Sequence, residues 1–277
     1  MASIINTNIS SLNAQRNLGV SQNSLTTSMQ RLSSGLRVNS AKDDAAGLAI
    51  AERMNAQVRG MNVAVRNAND GISLAQTAEG SIGKIGDALQ RMRELAVQAK
   101  NGTNTAADRA NLDAEFTELN DEVGRLIDGT AFNGQQLLDG TVGTFNFQIG
   151  AGNAVTDTIS ITSSSLVAVR DDTALAAGIG GATDALAASA ITALDLAIGA
   201  VTTARSEYGA SQNRFESVIA SLQTSSENLT AARSRIMDAD FAAETANLSR
   251  AQILQQAGTA MVAQANQLPQ TVLKLLQ

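Results

Sequence analysis

The chain has 277 residues and 44% hydrophobic content, enough for one large or two modest packed domains. It contains neither cysteine nor histidine, so the usual ligands for zinc, iron and copper, the thiol nucleophile and the imidazole base are missing. A formal net charge of -6 disfavours nucleic acid and anionic membranes as partners. This composition favours a structural protein without a cofactor over an enzyme.

The first ten residues, MASIINTNIS, have no basic residue before an apolar run, so we expect no cleaved secretory signal peptide. No stretch approaches the roughly 20 consecutive apolar residues that span a bilayer, and membrane insertion is not expected. Pro269 is the only proline, which leaves almost the whole chain free to be helical.

From position 51 to 99 apolar residues recur at alternating intervals of three and four, which predicts one long helix with a buried stripe. Ser40 is predicted to mark the helix start, with Asp43 accepting backbone donors and Asp44 favouring the positive helix end. Asn101-Gly102 is the predicted stop. The alternative that Asp43 and Asp44 form an acid–base or calcium pair is weaker, because adjacent helical residues point in different directions.

A second helix is predicted between Leu112 and Leu126, where apolar residues again recur at intervals of four and three. Between Phe145 and Ile161 the period changes to two, which predicts a β-hairpin. Residues 163–189 are mostly Ala, Gly, Ser and Thr without a clear period, and are predicted to be a short surface loop.

A third long helix is predicted from apolar residues that follow one another at intervals of seven, beginning at Leu194 and ending at Ile236. If the chain doubles back, this helix can lie along the first as a coiled coil. The predicted fold class is therefore mainly α, with long coiled-coil helices, one small β-hairpin and paired terminal helices.

Both ends of the chain carry apolar stripes that nothing in their own half covers. Two helices that pair only with each other bury little apolar surface against the entropy of ordering them, so we expect neighbouring copies to cover these stripes. The predicted assembly stripes consist of Ile5, Ile9, Leu12, Leu18, Leu25, Met29, Leu32 and Leu36 at the N-terminal end, and Leu254, Met261, Leu268, Val272 and Leu275 at the C-terminal end.

Three long strings resemble bacterial flagellin: SSGLRVNSAKDDAAGLAIAERM at 33–54, RNANDGISLAQTAEG at 66–80 and TAARSRIMDADFAAETANLSRAQILQQAG at 230–258. The resemblance covers roughly residues 1–162 and 190–277. It implies a subunit that polymerises into the helical filament used for swimming. It also implies an extracellular location, reached through the flagellar export channel without a cleaved signal peptide.

The resemblance divides the chain into parts of an inner-tube domain and a rod domain. Residues 1–42 and 235–277 would form the two halves of the inner-tube domain, and 43–162 and 190–234 the two parts of the rod. The middle, 163–189, would be a short variable loop where many flagellins insert outer domains, so the filament should lack a folded outer layer.

The resemblance also implies partners. They are many copies of the chain itself, an export chaperone at the C terminus, the filament cap, the hook-junction proteins, and a host Toll-like receptor for flagellin. The receptor segment is matched by LQRMREL at 89–95, where the candidate contacts are Gln90, Arg91, Glu94 and Leu95, with Glu115 as a further candidate. The simpler alternative is that Arg91 and Glu94 are a solvated pair on a helix face or contact neighbouring subunits.

Two alternatives to a filament subunit remain at this point. A coiled-coil signalling or adaptor rod would show the same heptads, although not uncovered stripes at both ends or a hairpin between the rods. A hook–filament junction protein would share the terminal helices.

Overall fold

The structure, a computed structural model, describes the backbone of residues 7–274 and the side chains of residues 7–267. Ile5 and Leu275 lie outside the described residues, as do the side chains of Leu268 and Val272. In chain order the longer helices are α1 (Ile9–Ser34), α2 (Ala45–Ala99), α3 (Ala106–Gly129), α6 (Ala185–Met237) and α7 (Phe241–Lys274). Between α3 and α6 lie strands β1 (Ala131–Phe132), β2 (Gln135–Gln136), β3 (Thr144–Gln148) and β4 (Thr158–Thr162), then the short helices α4 (Val167–Arg170) and α5 (Thr173–Ala176).

The chain divides into two compact units, each built from separated parts of the sequence. The terminal unit comprises residues 1–56 and 227–277, and the central unit comprises residues 57–226. The mainly α fold with paired terminal helices is confirmed.

In the central unit α2 and α6 run antiparallel, as their contacts show. Glu79 accepts a hydrogen bond from Gln212 Nε2 at 2.8 Å, and about four turns further along α2 Arg93 Nε donates to Asp195 at 2.7 Å. Residue numbers rise on one helix as they fall on the other, so the chain doubles back as predicted. Four heptad residues of α6 are fully or almost fully buried in the shared core: Leu194, Val201, Tyr208 and Phe215.

Gly71 of α2 is in close contact with the Phe215 ring of α6. A Cβ placed on this glycine would lie 2.7 Å from the Phe215 ring, so no other residue fits without moving the ring. The Phe215 ring also packs edge-to-face with Phe147 of β3, with ring centroids 5.5 Å apart and ring planes at 85°. One aromatic side chain thus joins both long helices to the hairpin.

The predicted hairpin is confirmed: β3 and β4 pair antiparallel, with Phe145 opposite Ile161 and Phe147 opposite Ile159. A smaller hairpin, β1–β2, was not predicted as strands. It turns at Asn133 and Gly134, both of which have positive φ.

The C-terminal half of α2 is buried on more than one stripe, because α3 and the segment after β4 also contribute to its core. Leu74, Ala78 and Ile85 are buried in addition to the predicted heptad residues. Leu95 is buried with them, at 1% exposure. The prediction that Leu95 contacts a receptor or a neighbouring subunit is therefore wrong, since its side chain is enclosed by its own chain.

The prediction that residues 163–189 form a surface loop is also wrong. This segment contains α4, α5 and the start of α6, and it places Leu166, Val169, Leu175 and Ile179 in the core. The physical reason is long-range pairing with α3, which no local pattern reveals.

Two side chains of α3 hold the backbone of this segment. Arg109, only 7% exposed, donates from Nε to Gly181 O and from Nη2 to Ala182 O, both at 2.9 Å. Asp113 Oδ1 accepts from the backbone N–H groups of Ile179 at 2.6 Å and Gly180 at 2.9 Å. We call these two residues and residues 178–182 the α3 clamp.

The start of α2 differs from the prediction by several residues. The helix begins at Ala45, and Asp44 caps it by accepting from the Gly47 N–H at 2.8 Å. Ser40 is therefore not the helix start. It belongs to a preceding turn, in which Asp43 Oδ2 accepts from the Ser40 N–H at 2.9 Å, the Ser40 hydroxyl at 3.0 Å and the Asn39 N–H at 3.2 Å.

We predict that replacing Asp113 with alanine destabilises the protein by about 1–3 kcal/mol, because two partly buried backbone donors lose their acceptor. The measurement is the free energy of unfolding from urea denaturation. Asp121→Ala, at an exposed position of the same helix, is the matched control and should change little. Equal stabilities for the two variants would contradict a role for the clamp.

We predict that protonation of Asp43 lowers the stability of the folded protein in acid. The hydrogen bond from the Ser40 hydroxyl, followed by those from the backbone N–H groups of Ser40 and Asn39, lowers the pKa of Asp43 below 3.8. Its contribution is therefore complete above that ordinary value and is lost as pH falls through the lower folded-state pKa. Thermal melts of the wild type and Asp43→Asn across this range should show a shallower acid dependence in the variant, and parallel curves would refute the prediction.

Candidate assembly surface

The terminal unit is built on the antiparallel pairing of α1 and α7. The contacts run from Asn8 against Ala265 at one end, through Leu18 against Gly258, to Arg31 beside Glu244 at the other. We call the facing residues the α1/α7 seam. They follow three-four spacing and are all buried or half-buried: Ser11, Ala14, Leu18, Ser21, Leu25, Ser28 and Leu32 on α1, and Glu244, Leu248, Ala251, Gln255, Gly258, Val262 and Ala265 on α7.

Small residues recur at every second position of the α7 side of the seam. Ala251, Gly258 and Ala265 follow each other at intervals of seven, and they let the two backbones come close. A Cβ on Gly258 would lie 3.0 Å from Leu18 Cδ1. The predicted C-terminal stripe followed the larger Leu254 and Met261, whereas the seven-residue repeat of small residues is the sequence signal that marks the seam.

Polar groups tie the seam at both ends. Asn8 Nδ2 donates to Ala265 O at 2.8 Å, and Ser11 Oγ donates to Asn266 Oδ1 at 2.7 Å. At the opposite end Arg31 Nη1 lies 3.9 Å from Glu244 Oε2. The pairing of Arg31 with Glu244 had not been predicted.

The structure separates the predicted assembly stripes into two groups. Leu18, Leu25, Leu32 and Leu36 are half-buried within the chain itself. The remaining described members are exposed: Ile9 at 67%, Leu12 at 52%, Met29 at 57%, Leu254 at 50% and Met261 at 63%. We call these five residues the exposed apolar row. Other large apolar side chains of the same unit, Val20, Phe241 and Ile253, are exposed as well.

The segment between α1 and α2 is hydrogen-bonded to the C-terminal end of α6. Arg37 donates from Nη2 to Ile236 O at 2.7 Å, and its N–H donates to Met237 O at 2.6 Å. Met237 packs with Val38 and Ala51 in a small separate core. The next helix, α7, is capped by Asp240, which accepts from the N–H groups of two residues in its first turn, Ala242 and Ala243.

The candidate receptor residues fall into an exposed group without Leu95. Arg91 Nε donates to Glu115 at 2.9 Å and Arg91 Nη1 donates to Glu94 at 2.9 Å, which brings three of the predicted residues together. These hydrogen bonds, first from Glu115 and then from Glu94, raise the pKa of Arg91 above its ordinary value. Gln90 is exposed beside them on α2.

Within the described residues, no cluster of three or more carboxylate groups is placed to hold a metal ion.

One helix in the described part of the chain, α6, is long and apolar enough to cross a membrane by length and composition, with 33% of its most apolar window buried. Core helices of soluble proteins pass the same test, and α6 contributes Ala187, Ala190 and Leu194 to the central core.

Comparison with known proteins identifies both ends of the chain. The family model for the bacterial flagellin N-terminal helical region matches residues 5–143, and the model for the C-terminal helical region matches residues 191–276. Flagellin from Halalkalibacterium halodurans is 51% identical over 275 residues, which cover 99% of this chain and all of the relative. Flagellin A from Vibrio anguillarum is 38% identical over an alignment of 379 positions that covers both chains fully.

Solved structures of flagellar proteins are similar to this chain as well. The crystal structure of Bacillus cereus flagellin matches with a TM-score of 0.51 and 32% identity, covering 61% of this chain and 94% of that one. A candidate flagellar hook-associated protein from Vibrio parahaemolyticus matches with a TM-score of 0.59, covering 71% of this chain and all of that one. Its identity is only 14%, so it shares the fold alone.

Proposed function

The chain belongs to the bacterial flagellin family and is a structural subunit of the extracellular flagellar filament, and we propose that its terminal unit is the part that joins copies together. The polymer serves swimming motility. Because the family is structural, we assign the chain no catalytic role and no cofactor.

The exposed apolar row carries this proposal. Five large apolar side chains lie on α1 and α7, outside the seam that pairs these helices. Exposed apolar side chains gathered on one small unit are typical of a surface that another protein covers. In a homopolymer every copy presents the same row, so neighbouring terminal units can cover one another and line the inner tube of the filament.

The composition of the seam supports the proposal that the terminal unit becomes ordered when it contacts neighbouring copies. Its α7 side is mostly small or polar, so pairing with α1 buries little apolar area per residue ordered. Burying the exposed apolar row against neighbours adds the missing apolar contact, which stabilises the ordered form by mass action.

We propose further partners by the same reasoning. An export chaperone would cover the C-terminal end of α7 before assembly, and the filament cap and hook-junction proteins would meet the terminal unit at the two ends of the polymer. Export would proceed through the flagellar channel without a cleaved signal peptide.

A hook–filament junction protein is the second candidate function, since a candidate hook-associated protein shares the fold. Seeded growth separates the two functions. A filament subunit elongates seeds of its own kind into long filaments, whereas a junction protein adds once and stops.

We predict that Leu254→Ser combined with Met261→Ser abolishes or strongly slows seeded elongation, because both side chains lose the apolar area that neighbours would bury. The melting temperature of the monomer should change little, because both positions are exposed. Elongation is followed by light scattering and negative-stain imaging. Leu196→Ser, at an exposed leucine of the central unit, is the control, and the same defect in both variants would argue against the terminal unit as the main joint.

We also propose that the Arg91, Glu94, Glu115 and Gln90 surface is the part of the monomer that a Toll-like flagellin receptor recognises. Arg91 is the centre of this group, since it is hydrogen-bonded to both carboxylates.

We predict that Arg91→Ala weakens receptor activation by about tenfold or more, because a charged contact of this kind contributes a large share of interface energy. Activation in reporter cells, compared with Arg125→Ala on the exposed face of α3, is the measurement. Unchanged activation by Arg91→Ala would exclude this surface as the receptor site.

A further inference from the structure

Few side chains of this protein can react with an oxidant. The chain has no cysteine, histidine or tryptophan, and its one tyrosine, Tyr208, is only 1% exposed. Cysteine thiolates are the usual first targets of peroxides, so their absence leaves the thioether sulfur of methionine as the main reactive group. The exposure of each methionine therefore decides where the chain is oxidised.

The described methionines differ widely in exposure. Met29 of α1 is 57% exposed and Met261 of α7 is 63% exposed. The other methionines in the described part of the chain are half-buried or buried: Met54, Met61, Met92 and Met237. Both exposed methionines belong to the exposed apolar row, so the most accessible sulfur atoms lie on the surface assigned to assembly.

Met29 also lines an open groove of about 530 Å³ on the terminal unit. The other walls of this groove carry only hydroxyl and amide groups: Thr26, Gln30, Ser33, Ser34 and Asn39. A small neutral oxidant meets neither a charge nor an enclosing apolar wall there. Hydrogen peroxide can therefore enter the groove that Met29 lines.

The two exposed methionines lie toward opposite ends of the α1/α7 seam. Met29 is close in sequence to Arg31, which faces Glu244 at one end. Met261 is one helical turn from Ala265, which is hydrogen-bonded at the other end. A change at both methionines therefore affects both ends of the exposed apolar row.

We propose that Met29 and Met261 are oxidation sites through which a peroxide prevents the free subunit from assembling. This inference rests on the proposed function, since it concerns the same apolar row. In the reaction the sulfur lone pair attacks one peroxide oxygen, the O–O bond breaks, an S=O bond forms and the second oxygen leaves as water. The sulfur is oxidised by two electrons and the peroxide is reduced by two, which gives methionine sulfoxide.

Oxidation at these positions opposes assembly more than folding. The sulfoxide is polar, whereas the thioether is apolar. On the free subunit both forms remain in contact with water, so the fold changes little. Beneath a neighbouring copy the S=O group would be buried in an apolar contact, which is unfavourable without a hydrogen-bond partner. Subunits already in the filament are protected, because neighbours cover the row.

Met29→Leu combined with Met261→Leu in the full-length protein tests this proposal, since leucine keeps a similar apolar volume and has no sulfur. Untreated, the variant should elongate seeds as the wild type does. After monomers are treated with hydrogen peroxide, the critical concentration for elongation should rise about tenfold or more for the wild type and stay unchanged for the variant. The melting temperature of the treated wild-type monomer should change little.

Met54→Leu combined with Met61→Leu is the matched control, because it removes two half-buried methionines of α2. This variant should lose elongation after peroxide treatment as the wild type does. Met1 is kept in every variant, so its oxidation cannot account for a difference between them.

Peptide mass spectrometry measures the order of oxidation independently of assembly. In the wild-type monomer Met29 and Met261 should react before Met92 and Met237, which are 0% and 7% exposed. In preformed filaments Met29 and Met261 should react more slowly than in the monomer.

The outcomes are distinguishable. The proposal is overturned if the treated Met29→Leu and Met261→Leu variant loses elongation as the wild type does, or if the buried methionines react first. It is also overturned if the treated wild-type monomer loses thermal stability in proportion to elongation. Failure of untreated wild type to elongate its own seeds, or equal oxidation rates in filament and monomer, would instead refute the proposed assembly surface and leave the order of oxidation in the monomer unaffected.

Discussion

The antiparallel contact of α2 with α6 is the interaction on which the central unit is built, and the β3–β4 hairpin packs against it. It depends on a glycine facing a phenylalanine: Gly71 lets the Phe215 ring approach the α2 backbone, and the same ring packs on Phe147 of the hairpin. With so few aromatic residues, the chain uses one ring to set the spacing of three elements. The remaining contact surfaces are then filled by Ala, Leu, Ile and Val, which tolerate close helix packing.

The terminal unit follows the opposite strategy. The α7 side of its seam is mostly small or polar, and its polar ties lie near the ends of the helix pair, at Asn8 and Ser11 and at Arg31 and Glu244. Many of its large apolar side chains, including the exposed apolar row, face outward instead. A unit built in this way holds its own helices in register and leaves much of its apolar surface uncovered. That surface is then available for contacts between copies in a polymer.

Local periodicity was sufficient to predict the long helices, the doubling back of the chain and the β3–β4 hairpin. These features depend on patterns such as the heptads from Leu194 to Phe215 and the alternation around Phe147. It could not predict burial that depends on distant partners. Leu95 sits on a second buried face of α2, and residues 178–182 are held by Arg109 and Asp113, more than 60 residues earlier in the chain. The small seam residues and Arg31 were not predicted, because an apolar stripe is recognised by its large side chains.

The charges on the chain respond little to pH near neutrality, and this determines how copies repel each other. Hydrogen bonding moves the pKa of Arg91 upward and that of Asp43 downward, both away from neutrality, and the chain has no histidine. Side-chain charge therefore stays nearly constant across the neutral range. Electrostatic repulsion between copies is set by dissolved salt, whose screening length is about 8 Å at physiological ionic strength, and hardly by proton concentration.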